Sequence, residues 1–318
     1  MVRFAGNEKG NILVLATVAL FSILGFASIA VDVGCLLTAK NQLQSAVDAS
    51  ALSGASGLMV DQAEAVQRTI LVGSRNACLN QPVTLNSSNV DFPNTNQIRV
   101  QAAQTVTLFF AKIVGIQSAN VSAVAVAEIG NITSTNGLRP WCVPDMNWTH
   151  GTAVVLKAGS KDAPVTNPSF YYPIDFPAVN RGNPESGASV YEDNIVNGTQ
   201  CTVSVGDEIQ VEPGNMVGPT KQGVDALVAM DASAYWDGTR VAGSAYPGTS
   251  SPRVVTIPLY DPNYPPDSGR NTVYVTQLAS FFVTGIHGGD VIGIFMEKIT
   301  HGQFGGGASM LKGVRLVS

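Results

Sequence analysis

The most continuous hydrophobic pattern in the chain runs from Ile12 to Val31, where ILVLATVALFSILGFASIAV holds no charged side chain on any face. At about 1.5 Å rise per residue such a helix is roughly 30 Å long, the thickness of a bilayer's hydrocarbon core. A cleaved secretory signal has a shorter apolar region, followed by a small-x-small site, whereas this run passes into a further helical pattern. A retained transmembrane helix over residues 12–33 is therefore expected, preceded by an N-terminal tail over residues 1–11. From Cys35 to Ala77 the sequence has no proline and is rich in Ala, Leu and Gln, so the helix is predicted to continue as a long amphipathic segment. Small residues recur along it at Ala46, Ala49, Ser50, Ser53, Gly54 and Ser56 or Gly57, three to four positions apart. This stripe lets another backbone approach closely, either a partner's, through Ala49 and Gly54, or that of the protein's own export-side domain.

Beyond the helix the period changes. IRVQAAQTVTLF (98–109) and NVSAVAVAEI (120–129) read as strands flanking a short helical FFAKIVG, which gives a small α+β unit up to about residue 130. Over residues 138–318, Gly and Pro break the sequence into short runs: TAVVLKAG, CTVSVGDEIQVEP, RVVTIPLY, NTVYVTQLASFFVTGIH and DVIGIFMEKIT. A mainly β domain is expected there, a sandwich or partly closed barrel, with one helix over Lys221–Trp236.

Charge adds an orientation. Arg3 and Lys9 precede the span while Asp32 is the first charge after it, so the N-terminus is expected in the cytoplasm and the bulk on the export side. A net charge of -5 without a Lys/Arg cluster excludes nucleic acid as a natural partner.

Residues Glu8–Gly34 and the LQSAVDASALSGAS block, Leu43–Ser56, resemble the N-terminal domain of the TadG-like proteins of tight-adherence (Flp, type IVc) pilus assembly. The resemblance rests on Lys9 and Gly10 before the span, the exit Ala30-Val31-Asp32-Val33-Gly34, Leu43 and Gln44, and the run Asp48-Ala49-Ser50-Ala51-Leu52. It covers about the first 60 residues. It implies a bacterial inner-membrane protein with a structural role, whose partners are the bilayer and other Tad membrane proteins or pilin subunits. Two features depart from family patterns. Asp231-Ala232-Ser233-Ala234-Tyr235 lacks the second serine of a von Willebrand A metal site, and Leu15 stands where a prepilin-type cleavage motif at Gly10 needs glutamate.

Candidate chemistry is sparse. Of the cysteines at 35, 78, 142 and 201, Cys142 and Cys201 share the β-rich half and would form a disulfide in an oxidising compartment, or else remain unpaired thiols. His150, His287 and His301 have no metal-ligand spacing, and there is no nucleophile elbow or phosphate loop, so neither a catalytic site nor a cofactor is expected. Asp207, Glu208 and Glu212, and the loop residues Asp261, Asn263 and Asp267, carry oxygen ligands without a calcium-loop register. The aromatic run PSFYYPIDFP (168–177), with Trp141, Trp148, Tyr260 and Tyr264, suits either a docking surface or a core. The competing functional class is a membrane-tethered envelope hydrolase or carbohydrate-binding protein, which would need two carboxylates converging in one pocket.

Overall fold

The computed structural model describes residues 8–159, 170–212, 214–266 and 271–317. Two compact units emerge: residues 1–129 with 314–318, and residues 130–313.

The first unit opens with α1, Glu8–Gly57, a single 50-residue helix. Its membrane-length part is exposed all round, with Ile12, Phe21 and Phe26 each about 70% accessible. The hydroxyls inside it are satisfied within the helix: Thr17 donates to the Leu13 carbonyl, Ser22 to Val18 and Ser28 to Gly25. No polar side-chain group of the span is thus left facing an apolar surround unpaired.

The helix continues well beyond the apolar span, as the missing prolines suggested, and ends at Gly57. A turn at Leu58–Val60 ends it, and Asp61, whose side chain accepts the Glu64 N–H at 2.7 Å, caps a second helix, α2, Gln62–Arg75. The turn is tight because Gly57 lies against α2: a Cβ there would sit 2.6 Å from the Ala65 Cα. The unit's three longer strands after α2 are β1, Val90–Asn94; β2, Gln97–Thr107; and β3, Ser118–Thr135. β2 and β3 pair antiparallel without a bulge from Gln97↔Glu128 to Thr107↔Ser118, as their alternating pattern predicts. Between them Ala111–Val114 forms a single 3₁₀ turn.

The second unit is mainly β. Its longer strands are β4, Ala153–Lys157; β5, Glu208–Val211; β6, Val254–Tyr260; β7, Thr272–His287; and β8, Asp290–Met296. The long β7 organises them, pairing antiparallel with β5, β6 and β8, while β4 adds to β8. A last strand, β9, Lys312–Val317, pairs with β3. Among the described residues no sheet closes into a barrel. Two helices interrupt the strands: α3, Ala188–Val196, which the sequence reading missed, and α4, Val217–Ala229. The latter begins before the expected Lys221 and stops short of Trp236, where Tyr235–Trp236 is a strand instead. The expected strand 201–213 is broken at Gly206 (φ +91°), a left-handed position that suits glycine and splits it into Val203–Ser204 and β5. Phe170, Tyr172, Ile174 and Phe176 of the aromatic run are buried, as is Trp141, whose indole N–H donates to the Tyr191 hydroxyl at 2.8 Å. Most of that run fills the core and offers no docking surface; Pro168 and Ser169 lie outside the described residues.

Candidate membrane and partner interface

The residues carrying the resemblance all lie on α1. Gly34 is open, with nothing near enough to touch an added Cβ, and Gly10 is helical. Leu43 and Ala51 are fully buried, and with Ala39, Ala46, Val47 and Ala55 they form the stripe that α1 turns toward α2, β2 and β3. Leu52 packs at its margin. Gln44 donates both to the Asp48 carboxylate at 2.8 Å, one turn on, and to the Val124 carbonyl at 3.0 Å, so the Gln44–Asp48 pair holds the helix to the edge of β3. Lys40 reaches the Ser122 carbonyl in the same way.

Asp32 is the most committed of these side chains. It is 6% exposed, and its two carboxylate oxygens accept the backbone N–H groups of Phe109, Phe110 and Ala111 at 2.7, 3.1 and 2.7 Å. These are the unpaired donors that begin the 3₁₀ turn between β2 and β3. A carboxylate at the foot of the helix thereby fastens the tip of the hairpin. The pairing was not legible from the motif, since an aspartate just past an apolar span also serves simply to end it.

Gly54 is buried within this unit: a Cβ there would meet Thr69 Oγ1 at 2.2 Å and Ile98 Cδ1 at 2.6 Å. The close approach that the small-residue stripe announced is made, at this position, by the protein's own α2 and β2. Ala49 is half-buried.

The second unit assembles no recognisable reaction centre among the described residues. No group of three or more His, Cys, Asp or Glu side chains is placed to hold a metal. Asp207 is taken by Arg181 at 2.6 Å and Asn180 at 3.0 Å, Glu208 by Thr272, and Asp261 by the turn it makes with Asn263; Asp267 lies outside the described residues. Asp231 is an internal anchor, accepting from Ser244 and Ser251 at 2.6 Å and from the Ala245 N–H. All four cysteines are free thiols, so the Cys142–Cys201 bridge is not formed in this structure. The register Ser134↔Ser204, Thr135↔Val203 carries Cys201 toward Gly137, well short of Cys142, and Cys142 is enclosed in the core, where burial pushes its thiol well above the ordinary range.

One acidic pair does converge. Asp175 and Glu212 are both buried, and burial first, then the neighbouring Glu212 carboxyl, raise the Asp175 carboxyl to about 8. Asp175 Oδ2 meets no N–H or O–H donor among the described residues, as suits two carboxyls sharing one proton. A cleft of about 330 Å³ is lined by residues that include Lys157, Thr220, Lys221, Asp225 and Ile286, and neither acid lines it. Its Lys157 is held by Asn215 at 2.6 Å, with burial lowering the ammonium to about 8.

Among the described residues one helix is long and apolar enough to cross a membrane, and it continues without a break into the packed stripe of an α+β unit. Residues 10–57 match the family model described as putative Flp pilus-assembly TadE/G-like, a match that covers α1 almost end to end. No curated protein and no solved structure matches the chain.

Proposed function

We propose that this protein is a single-pass component of the bacterial inner membrane that acts structurally in Tad/Flp pilus assembly or secretion. Its N-terminus is cytoplasmic and its two units face the export side. The observation that carries this reading is the coincidence of the TadE/G-like match, residues 10–57, with the whole of α1, both the apolar span and the stripe buried against α2 and β2. The anchor and first unit serve as a scaffold for other Tad membrane proteins or pilin subunits, and the β-rich unit meets envelope components without chemistry of its own. Neither a cofactor nor nucleic acid belongs to this role.

Deleting the gene in the native host should abolish pilus-dependent adhesion, and the full chain should restore it. A reporter that fluoresces only in the cytoplasm, fused after Gly137, should be dark, and the mature protein should retain residues 12–31. Unchanged adhesion in the deletion strain would remove the assembly role; a bright reporter would reverse the orientation.

A further inference from the structure

We propose that the tip of the β2–β3 hairpin, residues 108–117, is a second membrane contact, seated in the lipid interface of the leaflet from which α1 emerges. It rests on the reading of α1 as a membrane anchor.

Four contacts fix the direction of the hairpin. Along α1 from the span outward, Asp32 holds Phe109–Ala111, Lys40 holds Ser122, Gln44 holds Val124, and Gly54 meets Ile98. The partners climb the hairpin in step with the helix, since Ile98 pairs with Ala127 and the ladder closes at Thr107↔Ser118. The hairpin therefore lies along α1 with its tip toward the bilayer, level with the first charged residue after the span.

What the tip presents at that level is apolar. Phe109, Phe110, Ile113 and Ile116 are 65, 43, 84 and 54% exposed, while the neighbouring Leu108 is buried and begins the packed part of the hairpin. On α1 itself Val33 and Leu37 are also exposed at this height. The tip thus continues the lipid-facing surface of the span outward. Large apolar side chains gathered on one short turn are costly in water, and a bilayer interface accepts them to a depth of about 5–10 Å. Lys112, exposed on the same turn, suits the phosphate level of anionic lipid. The backbone N–H groups that such a turn would otherwise bring unpaired into a poorly hydrated layer are those that Asp32 satisfies.

The test uses the full chain in vesicles of phosphatidylethanolamine and phosphatidylglycerol whose acyl chains carry bromine, a contact quencher of tryptophan. F109W and I113W each add an indole at the tip; F21W adds one within the span and V60W one beyond the far end of α1, about 38 Å up the helix. After subtraction of the parent emission, the F21W, F109W and I113W signals should be quenched several-fold more than that of V60W. Because Ile113 is 84% exposed, I113W tests the tip without disturbing the fold. Strong quenching for F21W with tip signals no more quenched than V60W would overturn the proposal while leaving the anchor intact. An unquenched F21W would remove the anchor reading and this proposal with it.

Discussion

The Asp32 carboxylate accepts the backbone N–H of Ala111 at 2.7 Å across 79 residues of sequence, at the point where α1 leaves its apolar span. Two neighbouring amides share the same acceptor. Asp32→Ala strands all three donors, and removing their charge-assisted acceptor destabilises the turn that they begin. The first unit should melt earlier in detergent, and amide exchange at 109–111 should accelerate. Asp32→Asn, which keeps one acceptor oxygen, should fall between variant and parent.

Gly54 and Ala49 separate packing within the chain from docking on a partner. Gly54→Leu drives a side chain into Thr69 and Ile98 and should destabilise the first unit by about 1–3 kcal/mol, seen as a lower melting temperature and reduced abundance. Ala49→Leu, on a half-buried position, should leave abundance and melting close to the parent's. If Ala49 faces a Tad partner, that variant loses pilus-dependent adhesion at normal abundance; full adhesion would remove Ala49 from any interface.

The acidic pair sets a pH dependence. A carboxyl whose folded pKa is raised from 3.8 to about 8 holds its proton more tightly folded than unfolded. Its stabilising contribution is complete below about pH 4 and is lost as pH rises through about 8, with a slope of at most about 1.4 kcal/mol per pH unit. Urea midpoints of the second unit at pH 5 and pH 8 should therefore differ less in Asp175→Asn than in the parent. An identical pH response in both proteins would show that the two carboxyls do not share a proton.

Arg253 ties the Asp231–Ala234 turn to strand β7. Its guanidinium donates to the carbonyls of Ala234 at 2.7 Å, Val283 at 3.0 Å, and Asp231 and Thr284 at 3.1 Å, and lies 4.6 Å from the centre of the Phe282 ring. Lysine keeps the charge but not the planar fork. Arg253→Lys should cost about 2 kcal/mol or more in the urea stability of the second unit, with no effect on the first.

How far the sequence reached depended on whether a residue's role was set locally. The apolar span, the strands of the β2–β3 hairpin and the long β7 were legible because period and length alone define them. α3 was not: in nine residues only Tyr191 and Ile195 are buried, too few to establish a helical period. Gly54 announced a close approach through its size, but size does not name the neighbour, which proved to be α2 and β2. Asp175 lies in the short strand Ile174–Asp175 and Glu212 just past the end of β5, and the pairing of these two strands brings the segments together. Asp32 stood out as a motif residue, yet its function depends on amides that chain topology alone delivers.

The alignment of the hairpin with α1 has a mechanical meaning. Antiparallel strands are joined by hydrogen bonds perpendicular to their length, and here that length follows the helix that carries the apolar span. A tug directed away from the bilayer and arriving through β3 would load its rungs against β2 sideways and together, from Gln97↔Glu128 down to Thr107↔Ser118, instead of opening them one by one. The clasp at Asp32 closes the end of that ladder nearest the apolar span. A subunit of a machine that extrudes fibres would gain from such a layout a stiff mount, one that yields only when the whole ladder gives way.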